Sequence, residues 1–301
     1  MIDRYSFSSV GDYLTCPQQF KFKHMTEAEP EESDRFARNL GSAVHGGIEA
    51  AFHGPDDPRG AALEWLDEAI TTAQPEYTKA RGMLRAYVPL LEIGETLKPL
   101  TDPNTGDPTI EHYFQVELPS GRTFSGVVDV LAKSPYGVTV IDWKTRGRFT
   151  DSASVRLDSQ LYLYVFAVEQ LFGLKVDAAY QVQLLSNPPA HLSLTQKGEP
   201  SRQVGKTTEA LFIESLEHYN LDPAKYLPAF TDKIMPPDYF IRWSPIDPGL
   251  SPVHVRAFDN AIDRIEDDQH FAPVFRSNVY KWCDYQPLCA GQNVPLTTAG
   301  F

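Results

Sequence analysis

Two strand-like segments in the middle of the chain, each apolar except for an acidic interruption, restrict the fold more than any other feature. They are Gly126-Val-Val-Asp129-Val-Leu and Val138-Thr-Val-Ile-Asp142-Trp-Lys144. Residues 112–118, 122–132 and 137–144 read as three strands joined by the turns Pro119-Ser-Gly and Ser134-Pro-Tyr-Gly. A helix over 154–172 and a fourth strand over 177–185 follow. The middle of the chain is therefore a β-β-β-α-β core.

Helical additions flank that core. Before it, a helix is predicted over 6–25, capped by Ser6 or Ser8. Another covers 40–52, with Val44, Ile48, Ala51 and Phe52 on its apolar side. Segments 61–72 and 76–91 read as helices with dispersed charge and peripheral packing. After the core comes a polar loop over 186–206, then helices over 208–219 and 252–268 on either side of a strand over 239–243. No internal repeat is present. The expected organisation is one domain over 1–301, with a helical part to about 100, a catalytic core over 111–187, and a helical part over 207–301 that ends in a Cys-containing tail.

The acidic interruptions carry the chemistry. A carboxylate placed in a buried strand, as expected for Asp129, is costly unless it is paired or faces a cation. Side chains two apart on a strand share a face, so Asp142 and Lys144 point one way and Trp143 the other. Two acids and an amine at adjacent strand ends make a place for a hard divalent cation, which takes carboxylate oxygens and binds phosphate through its remaining positions. Alone, Asp142-x-Lys144 also reads as an ion pair at a strand end; Asp129 in the preceding strand favours the metal reading. Gly41-Ser-Ala-Val-His45-Gly-Gly-Ile-Glu49 sets His45 and Glu49 one helical turn apart. Gln160 and Tyr164 share a face of the helix after the second acidic strand, while Leu161 and Val165 face the core.

In this order, His45, Asp129, Asp142-x-Lys144 and Gln160-x-x-x-Tyr164 resemble the RecB-type branch of the PD-(D/E)XK nucleases. The opening Ser6-Phe-Ser-Ser-Val-Gly-Asp-Tyr13-Leu-Thr-Cys16-Pro17-Gln-Gln-Phe20 is similar to that branch's start. The resemblance implies an α/β fold, a restriction-endonuclease-like core with a mixed central sheet flanked by helices. It implies Mg²⁺ or Mn²⁺ held by His45, Asp129 and Asp142 with help from the Trp143 carbonyl. Lys144 is then catalytic, and Gln160 and Tyr164 orient the site and contact DNA. The expected activity is a metal-dependent deoxyribonuclease, an exonuclease on single strands or duplex ends in recombination, repair or phage DNA processing. Two other readings are a catalytically idle DNA-end-binding or partner-binding module and a small-molecule phosphoesterase.

The cysteines extend the comparison. Iron–sulfur members of that branch join one N-terminal Cys to three C-terminal ones around a [4Fe–4S] cluster. Here Cys16 and Cys283-Asp-Tyr-Gln-Pro-Leu-Cys289 supply three thiols, and Tyr280 stands where the remaining cysteine would be. A cluster with an unusual fourth ligand, a zinc site completed by a His, and a trio without metal are the alternatives. In each of them Cys16 and Cys283 are expected to lie near each other.

Charge narrows the partners. With 27 Lys and Arg against 40 Asp and Glu, the net charge is -13, the opposite of a protein that grips duplex DNA by bulk charge. Nucleic-acid contact must then be local. Arg146, Arg148 and Arg156 follow Lys144 closely, and Lys197, Arg202 and Lys206 occupy the polar loop, so these form the expected phosphate track. No P-loop motif occurs in the sequence, so any motor belongs to a helicase or recombinase partner. Nothing resembles a membrane span or an apolar leader, and the expected location is the cytoplasm of a bacterium or of a phage-infected host.

Overall fold

A computed structural model describes residues 2–26, 28, 36–274, 276, 279 and 283–289. The N-terminal helix predicted over 6–25 is two helices, α1 (Phe7–Thr15) and α2 (Pro17–His24). The break lies at Cys16, which is extended at φ -158°. A residue before proline is pushed out of the helical region, and Pro17 suits the first helical position. Ser6 caps α1 in a reciprocal capping box with Ser9.

Three helices follow: α3 (Phe36–His53), α4 (Pro58–Ala69) and α5 (Tyr77–Tyr87). The peripheral packing expected for the last two is corrected by their burial. Ala62, Leu66, Ala80, Met83, Leu84 and Tyr87 are all buried and join α3 in one apolar cluster against the sheet. Their charges sit on the outer face, which is why the sequence looks dispersed.

The sheet contains β1 (Lys98–Pro99), β2 (Ile110–Glu117), β3 (Thr123–Ser134) and β4 (Gly137–Arg146). The helix expected over 154–172 is again two, α6 (Ser152–Leu157) and α7 (Ser159–Phe172). Asp158 is extended between them, and its carboxylate accepts the Gln160 N–H, so it caps a new helix rather than continuing the old one. Gly173 closes α7 at φ 61°, a left-handed cap that glycine adopts without strain.

β5 (Ala178–Leu185) then pairs with β4 in parallel. Beyond it lie α8 (Glu209–His218), α9 (Pro223–Tyr226), β6 (Ile241–Ile246), α10 (Ser251–Asp267) and α11 (Gln286–Cys289). The strand expected over 239–243 starts two residues later, because Pro237–Tyr239 form a 3-10 turn. The result is a six-stranded mixed sheet in the order β1-β3-β4-β5-β6, with β2 also on β3.

Two apolar layers sandwich this sheet. One is formed by α1, α7 and α10 around Phe114, Phe124, Leu163 and Ile262. The other is formed by α3, α4 and α5 around Ile141, Trp143 and Val182. The loop 186–206 is less purely polar than expected: Leu192 and Val204 are buried with Phe212, Leu216 and Phe230 in a satellite cluster. No helix among the described residues is long and apolar enough to cross a membrane.

One detail of the sheet positions everything that follows. The β3–β4 ladder runs from Ser134↔Gly137 to Val130↔Ile141 and stops there. Extending the same register by one residue sets Asp129 opposite Asp142. Beyond that point β3 pairs with β2, and β4 continues along β5. The strands part at the two acids, and each acid sits at the crotch of the fork.

Candidate functional site

Burial at the fork is severe. Asp129 is 7% exposed and Asp142 is 0% exposed. Such sites disfavour ionised carboxylates unless opposite charge or hydrogen bonds compensate. Asp129 Oδ2 accepts the Trp143 N–H at 2.7 Å, so a side chain replaces the strand partner that β4 has lost. Asp142 Oδ1 accepts from Lys144 Nζ at 2.7 Å. Among the described residues the other oxygen, Asp142 Oδ2, is buried with no hydrogen-bond partner. A carboxylate oxygen left so in the interior can accept from a water or bind a cation.

α3 brings the imidazole. His45 Nε2 donates to the Trp143 carbonyl at 3.0 Å. That contact fixes the tautomer and turns Nδ1 toward Glu111 Oε1 at 3.4 Å and Asp129 Oδ2 at 3.7 Å. A ligating histidine normally donates its second ring nitrogen to a carbonyl or carboxylate, which orients the ring. The Trp143 carbonyl therefore aims His45. His45, Glu111 and Asp129 each offer a ligand atom within 4.8 Å of the other two. The donor set of one imidazole and two carboxylates suits a divalent cation.

The electrostatics agree with the geometry. Burial, reinforced by the charge of Asp142, pushes the Asp129 carboxyl up to about 7. Asp142 is also raised by burial, with Lys144 pulling the other way. Burial opposes protonation of His45, but the hydrogen bond to Glu111 and the charge of Asp129 win and raise it. Glu49, one turn along α3, is raised by burial and by Glu111. Without a cation the pocket holds more acid than it can comfortably ionise.

Glu111 was not singled out from sequence. The predicted strand began at His112, which left Glu111 in the preceding turn. It belongs to β2 but adopts φ 44°, a left-handed conformation that costs a non-glycine residue energy and recurs where function demands it. The signal available was an acid beside the apolar start Thr109-Ile110.

Gln160 and Tyr164 stand on one side of α7 as expected, with Gln160 Nε2 donating to Tyr164 Oη at 2.7 Å. Burial raises the Tyr164 hydroxyl, and the Asp142, Asp129 and Glu111 carboxylates all act on it. The expected phosphate track is divided. Arg146 and Arg148 line one cavity with Phe149, and Arg156 is exposed on α6. Arg202 and Lys206 donate to the carbonyls of Ala229 and Asp232, which fastens the 186–206 loop to the segment after α9. Lys197 is exposed in that loop.

The three cysteines are unpaired. The thiols of Cys283 and Cys289 are raised by burial and feel the charge of Cys16, so the chain ends converge. Tetrahedral zinc would hold its sulfurs about 3.8 Å apart, whereas among the described residues these three do not gather within 4.8 Å of one another. Three thiols also fall short of the four that a [4Fe–4S] cluster usually takes. The described residues therefore do not complete either site, and Tyr280 lies outside them.

No curated protein matches the chain. Among solved structures, one named "Putative exonuclease" from Eubacterium rectale aligns at 15% identity and TM-score 0.40, over 78% of this chain and 84% of its own. The crystal structure of SSO0001 aligns at 11% identity and TM-score 0.37, over 98% of this chain and 89% of its own. Residues 4–290 match the PD-(D/E)XK nuclease superfamily. Spanning nearly its whole length, that match shows that the chain belongs to the PD-(D/E)XK nuclease superfamily.

Proposed function

We propose that the protein is a Mg²⁺- or Mn²⁺-dependent deoxyribonuclease, acting as an exonuclease on single strands or duplex ends in recombination, repair or phage DNA processing. The observation that carries this reading is the fork between β3 and β4, which gathers Asp129, Asp142, Glu111, His45 and Lys144 around one gap. His45, Glu111 and Asp129 would hold the cation, with Asp142 buried beside them. A bound divalent ion supplies a water of lowered pKa and neutralises charge on the phosphoryl oxygens.

The protein's own groups do the rest. Asp142 fixes the Lys144 ammonium through the 2.7 Å contact. Lys144 then orients the attacking water and meets the negative charge that develops on the phosphate. Tyr164, held by Gln160, closes the α7 side of the pocket. The low dielectric around these buried groups strengthens each of these interactions.

Mg²⁺-dependent degradation of a labelled oligonucleotide tests the activity directly. Lys144→Ala and Asp142→Ala are expected to lower the cleavage rate at least ~100-fold while the circular dichroism spectrum stays unchanged. Full activity in purified Lys144→Ala protein would overturn the mechanism.

A further inference from the structure

The sheet register extends the pocket sideways. Lys144 pairs with Gln183 on β5, and Gln183 pairs with Arg242 on β6. Directly paired residues point to the same face, so Lys144, Gln183 and Arg242 form one row across three strands. Two strand spacings separate the outer members by about 10 Å. Ser244 and Ile246, on the same face of β6, are buried, but Arg242 is exposed at the strand's end.

Arg242 is held in place. Its guanidinium lies 4.2 Å from the centre of the Phe149 ring, a cation–π contact. The loop carrying Phe149 is fastened to the same row, because Gln183 Oε1 accepts the Thr150 N–H at 2.7 Å. Beside it, Arg146, Arg148 and Phe149 line an open cavity of ≈ 790 Å³. Arg146 Nε is buried and finds no hydrogen-bond partner among the described residues. Among the described residues, neither Arg146, Arg148 nor Arg242 has an acidic partner. Asp151, at the rim, is occupied in capping α6 through the Ala153 and Ser154 amides.

Three guanidiniums without an acidic partner among the described residues make a local positive patch on a protein of net charge -13. We propose that Arg242, laid over Phe149 and flanked by Arg146 and Arg148, is a second phosphate-binding station of the nuclease. It holds the nucleic-acid backbone close to the bond that is cut, at a phosphate about 10 Å across the sheet from Lys144. Guanidinium forks suit phosphate oxygens in two-pronged contacts. This inference rests on the nuclease reading and adds to it a second contact with the substrate backbone.

The test compares Arg242→Gln with the parent, both carrying Lys144→Ala so that the probe survives. Fluorescence anisotropy follows single-stranded and duplex oligonucleotides of about twelve nucleotides across a salt series with Mg²⁺ present. For both probes, Arg242→Gln should weaken binding roughly fivefold at low salt and flatten the salt slope by about 0.7 to 0.9. Arg242→Lys should recover part of the slope. Equal affinity and equal salt slope of parent and Arg242→Gln would overturn the station. If the parent binds neither probe and the Lys144-intact protein cleaves none, the nuclease reading falls and the station with it. Cleavage without any effect of Arg242 overturns the station alone.

Discussion

Asp129 illustrates how a residue of a candidate metal site can weaken the metal-free fold. Its folded carboxyl titrates near 7 because burial and the Asp142 charge oppose ionisation, against an ordinary value near 3.9. With the folded value raised, the native state retains a proton that the unfolded chain releases. Stability of the metal-free protein should therefore fall as pH rises from about 4 to 7 and level off above. Asp129→Asn should make that fall shallower, the raised Asp142, Glu49 and His45 keeping part of it, while abolishing cleavage. Urea unfolding at a series of pH values without divalent ions checks it, and a pH-independent midpoint in the parent would count against it. A cation in the pocket should reverse the penalty, because it favours the ionised form.

At the scale of elements, the decisive contact is α3 against α4 and α5, since α3 aims His45. Gly47 allows that approach: a Cβ there would stand 2.3 Å from Leu84 Cδ1, on a leucine that is itself fully buried. Alanine normally favours a helix over glycine by about 1 kcal/mol, but forcing a methyl into a filled core costs about 1–3 kcal/mol. Gly47→Ala should thus lower the melting temperature and, by displacing α3, weaken Mn²⁺ binding measured calorimetrically. A melting temperature equal to or above the parent's would show that Leu84 can yield.

Much of this was legible in the sequence, for specific reasons. Alternation and turn residues located β2 to β5, and the acids that break their apolar runs located Asp129 and Asp142. Helix breaks at Cys16 and Asp158 were missed because helical spacing continues through them, whereas capping and the proline restriction are local effects that override it. Glu111 escaped because its left-handed backbone, set between the paired residues Ile110↔Val130 and His112↔Val128, leaves no mark in the alternation of the sequence. Arg242 lies ninety-eight positions after Lys144, and only the pairing through β5 sets the two in one row.

Across the whole molecule, the N-terminal segment and α10 are tied to each other and to the outer end of the β2–β3 hairpin. Tyr5 Oη donates to Glu266 at 3.1 Å, and Tyr13 Oη donates to Asp268 at 2.9 Å. Arg122 donates to Glu266 and Asp263, both at 2.6 Å, from the hairpin to α10. Tyr5 also joins the sheet beside Phe124. Glu266→Ala removes acceptors from both Tyr5 and Arg122 and should cost about 1.5–3 kcal/mol in urea unfolding, with cleavage of oligonucleotides retained. A loss below ~0.5 kcal/mol would mean that the acidic neighbours replace it.

The ending of the β3–β4 ladder at Val130↔Ile141 has a mechanical corollary. What spans the gap past that point is a side chain, the Asp129 carboxylate on the Trp143 amide, in place of a sheet rung. A change at either acid can thus reshape the pocket while every rung of the ladder stays closed.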